Sequence, residues 1–113
     1  MSKDPRKFLY DIIESIDFIF EEHLASIEDF EQFAANRTVQ DAVERRLMTI
    51  GEALFKLRRE GFTLSFSDQM INRRNTLAHQ YDVVSPLAVW ESVQNELSAL
   101  RDEAQTQLDD WDE

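Results

Sequence analysis

The sequence predicts an all-α fold, an antiparallel bundle of four main helices plus a short one, and three observations carry that prediction. The 113-residue chain holds only 2 Gly and 2 Pro, too few for a turn-rich sandwich or barrel. Apolar residues recur at three- and four-residue spacing in four stretches. Helix-opening residues stand ahead of those stretches. With 42% hydrophobic residues, 8 Phe and 2 Trp the chain can build a modest core, and its length reads as one domain over 1–113.

Asp4–Pro5 opens the first helix, with Asp as cap and Pro at the first helical position, where a missing N–H costs nothing. Phe8/Leu9, Ile12/Ile13, Ile16, Ile19/Phe20, Leu24 and Ile27 then place a helix over about 5–25. Ser26 with Asp29 resembles a capping box for a short helical turn through Phe33. Thr38 with Asp41 repeats that signal ahead of a longer helix to about Arg59, striped by Val39, Val43, Leu47, Ile50, Leu54 and Leu57. Gly61 stops it. Ser65 or Ser67 caps a third main helix, 67–81, containing Met70, Ile71, Leu77 and Ala78. Ser85–Pro86 opens the last, carrying Val89/Trp90, Val93, Leu97, Leu100, Ala104 and Leu108. Trp90 and the Phe residues read as core.

Composition excludes several classes of function. The chain has no Cys, so disulfide frameworks, thiolate zinc sites, iron–sulfur clusters and cysteine nucleophiles are out. Only 2 His are present, so no metal and no cofactor are expected. His23, after Glu21 and Glu22, reads as a solvated or packing side chain. No run of 18 apolar residues exists and no membrane partner is expected; Asp11 and Glu14 break the N-terminal apolar pattern, so a soluble, cytoplasmic protein is expected. The formal net charge is −11, but it is uneven. Residues 1–36 carry 3 basic and 9 acidic side chains, 37–74 carry 8 and 5, and 75–113 carry 1 and 9. The middle cations either snorkel beside acidic neighbours or form a local anion site that grips a few phosphates. A general DNA-binding role is excluded, because the rest of the molecule repels polyanions.

The reactive side chains concentrate in Arg73-Arg74-Asn75-Thr76-Leu77-Ala78-His79-Gln80-Tyr81-Asp82. On one continuous helix Arg74 and His79 stand roughly 140° apart and do not share a face. Asn75 and His79, four apart, do share one, so Asn75 can fix the imidazole tautomer, and Asp82 favours the charged form if the helix persists. Arg74 and Tyr81, seven apart, lie on one stripe. Each residue also has a plain reading: His79 as a cap in a last helical turn, Arg74 as a surface ion-pair partner, Tyr81 as a half-buried ring with its hydroxyl at the edge.

Arg74-Asn75-Thr76-Leu77-Ala78-His79-Gln80-Tyr81 resembles the Arg-x4-His-x-Tyr signature of HEPN domains, in the HepT-like branch. The resemblance covers about residues 7–108 and takes in Thr38 to Leu47 running into Ile50-Gly51-Glu52-Ala53, and Trp90 after the motif. Ser65-Phe66-Ser67 departs from it, standing where many relatives have a Trp-containing approach. The resemblance implies a HEPN-like homodimer whose two motif helices meet, so that residues on different faces of one helix line a shared cleft. It implies a metal-independent endoribonuclease, the toxin of a type VII-like toxin–antitoxin pair, with RNA as substrate and a small nucleotidyltransferase antitoxin as partner. Arg74, His79 and Asn75 would be catalytic, and Tyr81 the acceptor of AMP from the antitoxin. The alternative is a non-catalytic subunit that presents a nucleotide or substrate to a nucleotidyltransferase. The intact Arg74/Asn75/His79 set favours the enzyme.

Overall fold

The computed structural model describes residues 4–72 and 85–111. Within them all regular structure is helical, and no strand occurs among the described residues. Helix α1 spans Arg6–Phe18 and continues as a π-helical turn, Ile19–His23. Helix α2 is the short Phe30–Ala34, α3 is Arg37–Arg59, and α4 is helical over its described residues 67–72. Helix α5 runs Pro86–Asp110. The predicted all-α class is what is found.

Helix α1 packs against both α3 and α5, and α2 touches the same two. The core is the apolar stripe of each: Leu9, Ile12 and Ile16 from α1, Leu47, Leu54 and Leu57 from α3, Leu97 and Leu100 from α5, all essentially inaccessible. Removing such stripes from water is the main stabilising term. One paired contact ties α1 to α5, where the Arg101 guanidinium donates to both Asp17 carboxylate oxygens at 2.6 and 3.0 Å.

The helix ends differ in detail from the sequence expectation. At α1, Pro5 stands as N-cap, while the Asp4 carboxylate accepts from the Arg6 N–H at 3.0 Å and so still caps the first turn. The first helix ends not as α-helix but as the π turn, where Leu24 N–H reaches the Ile19 carbonyl five residues back at 2.9 Å. That widened turn lets Ile19 and Leu24 both be buried and rotates Phe20 outward, 37% exposed. Ser26 does not cap the short helix. Asp29 does, accepting from Gln32 N–H at 2.9 Å, while Gln32 Oε1 accepts from Glu28 N–H, the residue before the cap, at 2.8 Å, a reciprocal pairing akin to a capping box. Likewise Asn36, not Thr38, caps α3, accepting from Val39 N–H at 3.0 Å.

Two ends are as expected. Gly61, at φ +92, closes α3: Phe62 N–H reaches the Leu57 carbonyl at 2.9 Å and Gly61 N–H the Arg58 carbonyl at 3.1 Å, the paired bonds of a Schellman motif that needs a left-handed residue. Ser85 caps α5, its hydroxyl accepting from Ala88 N–H at 3.3 Å, with Pro86 at the first position.

Candidate active site and its setting

The motif segment is entered from α3 through a tightly held loop. After Gly61, Leu64 turns into the core at 4% exposure, and Ser65 N–H donates to Glu103 Oε1 of α5 at 3.2 Å. Phe66 adopts φ +65, a left-handed conformation unusual for a bulky residue, and its carbonyl accepts the first helical bond of α4, from Met70 N–H at 2.9 Å. Neither serine caps through its hydroxyl: Ser67 Oγ is buried and donates to the Leu64 carbonyl at 2.6 Å. Asp68 accepts from Arg58 Nη2 of α3 at 2.6 Å. Met70 and Ile71 are buried. The base of α4 is therefore fixed to α5, to α3 and to the core.

On the far side, α5 begins on its Ser85 cap, and Val89 enters the core at once. Trp90 is half-buried, its ring 5.4 Å from Phe33 and 6.3 Å from Phe30 between centroids, which agrees with a packing role. Arg74, Asn75, His79, Tyr81 and Asp82, with Leu77 and Ala78, lie outside the described residues.

The other histidine is described. His23 sits in the π turn, its ring stacked on Phe18 at 6.3 Å and 27°. The Arg46 guanidinium lies 4.3 Å from the Phe18 ring centroid, close enough for a cation–π contact. Burial, and then the Arg46 charge, hold the His23 imidazolium below its ordinary range, against the opposing pull of Glu22. His23 is a packing side chain, half-buried, as one of the two sequence readings had it. Burial, reinforced by Asp41 and opposed by Arg37, pushes the Glu44 carboxyl up.

Not every Phe is core. Phe18, Phe20 and Phe55 are each 37% exposed, because the π turn and the far side of α3 point them outward. The sequence also left unseen a furrow of about 480 Å³ between α1 and α3, walled by Phe8, Asp11, Arg45, Met48 and Lys56 among others. Its signal was present in the spacing of the cations along α3, which sequence alone could not tell from scattered surface charge. Among the described residues no group of three or more His, Cys, Asp or Glu is placed to hold a metal ion. No helix among them is long and apolar enough to cross a membrane.

Comparison with known proteins bears on the family. A family model described as "Ribonuclease HepT-like" matches residues 12–106. Three proteins of Methanocaldococcus jannaschii, all provisionally named RNases, are similar over almost their whole length. MJ0125 is 32% identical over 98% of this chain and 97% of its own. MJ1216 is 34% identical over 89% and 84%, and MJ1380 is 32% identical over 93% and 98%. No solved structure gives a significant match. With a family model covering residues 12–106, and relatives that share about a third of their residues over most of their length, the chain belongs to the HepT-like ribonuclease family.

Proposed function

We propose that this protein is a metal-independent endoribonuclease acting as the toxin of a toxin–antitoxin pair. The observation that carries the reading is the spacing Arg74-x4-His79-x-Tyr81 inside a chain whose family is a ribonuclease family over residues 12–106. In this reading two copies bring their motif helices together, and each cleft draws on both. His79 acts as general base on the RNA 2′-hydroxyl, or as acid toward the leaving 5′-oxygen, a contribution of roughly 10²–10⁴-fold. Arg74 holds the scissile phosphate by bidentate hydrogen bonds that strengthen as charge develops. Asn75 orients the imidazole. The 2′-oxygen attacks phosphorus as the 5′-oxygen departs, leaving a 2′,3′-cyclic phosphate, and no step requires a metal. Tyr81 accepts AMP from a small nucleotidyltransferase antitoxin.

The test is cleavage of a labelled RNA in EDTA by the wild type, Arg74→Ala and His79→Ala, with folding checked by circular dichroism. Cleavage by the wild type in EDTA, reduced at least 10²-fold in both folded variants, is the expected result. Wild-type rates in both variants would refute the assignment, and activity abolished by EDTA would point to a metal instead.

A further inference from the structure

The cations of α3 sort themselves by what they touch. Arg37 is paired with Asp41 at 3.1 Å and Arg58 with Asp68 at 2.6 Å, while Arg46 is turned onto Phe18. Arg45, Lys56 and Arg59 stand at positions i, i+11 and i+14 on a single stripe of the helix, spanning about 21 Å at 1.5 Å per residue; of the three, Lys56 faces Glu52 at 3.8 Å. That stripe is one wall of the furrow between α1 and α3. The 480 Å³ furrow shares Phe8 and Lys56 with a second hollow of about 310 Å³, which adds Arg59 and Glu60, so the two form one groove.

Two of its three acidic groups are paired, and the third, Glu60, lines the hollow beside Arg59. Asp11 is paired with Lys7 at 3.1 Å, and Glu52 faces Lys56 at 3.8 Å. Among the described residues Arg45 has no carboxylate partner, and Arg59 touches only the Phe55 ring, at 6.0 Å. Both are exposed. Two guanidinium groups without an ion-pair partner among the described residues thus stand at opposite ends of a groove, with the Lys56 ammonium between them, on a chain whose net charge is −11. Residues 1–36 and 75–113 are each strongly acidic and repel phosphates, so the middle of the chain is where a polyanion can settle. Helices packed about 8–10 Å apart leave a furrow wide enough for one backbone and too narrow for a duplex.

We propose that this groove is an accessory track for single-stranded RNA, Arg45 and Arg59 each taking a backbone phosphate and Lys56 a third between them. The proposal rests on the ribonuclease reading above and deepens it, because it names the form of RNA and the surface that holds it beyond the scissile bond. A row of cations along a groove that follows a flexible backbone is the usual design for sequence-tolerant capture of single strands.

The test uses a fluorescein-labelled 20-nucleotide single-stranded RNA, made uncleavable by 2′-O-methylation and titrated by anisotropy against the full-length protein. Arg45→Gln/Arg59→Gln is compared with Arg6→Gln/Arg37→Gln, which removes the same two charges outside the groove. We expect the groove variant to bind about tenfold more weakly and its log–log salt dependence to flatten by about 1.4, two phosphates at about 0.7 each. The control should stay within about twofold of wild type. Equal affinity of wild type and groove variant, or equal losses in both variants, would overturn the proposal. So would displacement of the RNA by a polyglutamate 20-mer of the same charge, which would assign the groove to an acidic polypeptide. Cleavage of an unmodified ribodinucleotide, too short to occupy the groove, is followed in parallel and should be unchanged in the groove variant; a matching loss there also counts against an accessory track. If the wild type cuts neither the dinucleotide nor an unmodified 20-mer of the same sequence, the ribonuclease reading fails, while the binding data still judge the groove.

Discussion

His23 and Tyr81 show what single side chains can be asked. The fold resists charging His23, because its ring is stacked on Phe18 and half-buried near Arg46. Its folded pKa is therefore lower than the unfolded value of about 6.5. In the window between the two the unfolded chain binds more protons, so stability rises with pH there. The contribution is complete above the unfolded pKa and is lost as pH falls through the folded one. Thermal melts at pH 7.5 and 5.5 should show a lower midpoint in acid, and His23→Gln should shrink that difference; an unchanged difference would refute the role. Glu44, whose carboxyl burial pushes up, acts with opposite sign, so it does not mimic the effect. For Tyr81 the expected outcome follows from the proposed off-switch. An AMP on its hydroxyl brings a phosphate that competes with RNA for Arg74, and a nucleoside that fills the cleft. A phenol with a pKa near 10 is a poor nucleophile unaided, so the antitoxin must activate it. Intact-mass measurement after incubation with the cognate nucleotidyltransferase and ATP should show AMP-sized increments that vanish in Tyr81→Phe. Increments that persist in Tyr81→Phe, or none at all in the wild type, would count against the switch.

Among the helices, the informative positions are the ends. Asn36 accepts from Val39 N–H, and its loss leaves a donor of the first turn unsatisfied. Asn36→Ala should lower the unfolding free energy by about 1 kcal/mol, read from urea denaturation at constant m-value. Thr38→Ala should stay within about 0.5 kcal/mol, and the reverse ranking would show that Thr38 is the true cap. The two candidates stand two residues apart and both are good capping types, so local sequence could not choose. Tertiary structure chooses: the buried Gln40 side chain donates to the carbonyls of Phe33 and Ala34 at 2.9 and 3.0 Å, which fixes how the chain leaves α2 and enters α3. By contrast Ser85–Pro86 and Gly61 were legible, because a proline ring and a left-handed turn admit few alternatives. The π turn at Ile19–His23 was not, since the apolar spacing there fits a continuous α-helix equally well. The active-site candidates were legible only as a pattern of types and spacing. That pattern settles which residues to test, whereas the cation row of α3 gained meaning only when the pairings of Arg37, Arg46 and Arg58 set those three apart from Arg45 and Arg59 and placed Lys56, facing Glu52, between them.

Charge and core together govern the molecule as a whole. The apolar stripes of α1, α3 and α5 converge on one core, which leaves acidic groups on the surfaces contributed by both ends of the chain. Two copies at a net charge of −11 each repel one another at long range, and the repulsion is weakest where the middle of the chain, with 8 basic and 5 acidic side chains over 37–74, faces its counterpart. For the proposed dimer this favours an approach through the middle of the chain rather than through α1 or the end of α5, which would let two Arg74/His79 sets share a cleft. The residual repulsion would also give the proposed dimer a salt signature. Screening at 0.15 M ionic strength shortens the reach of exposed charges to about 8 Å, so dimerisation should strengthen from 0.02 to 0.15 M salt, the reverse of an assembly held by surface ion pairs. Light scattering at micromolar concentration should therefore give twice the 13.3 kDa of one chain at 0.15 M salt, with the monomer fraction growing as salt is removed. A monomer mass at both salt concentrations would sink the dimer, and dissociation on adding salt would place the interface on the acidic surfaces instead.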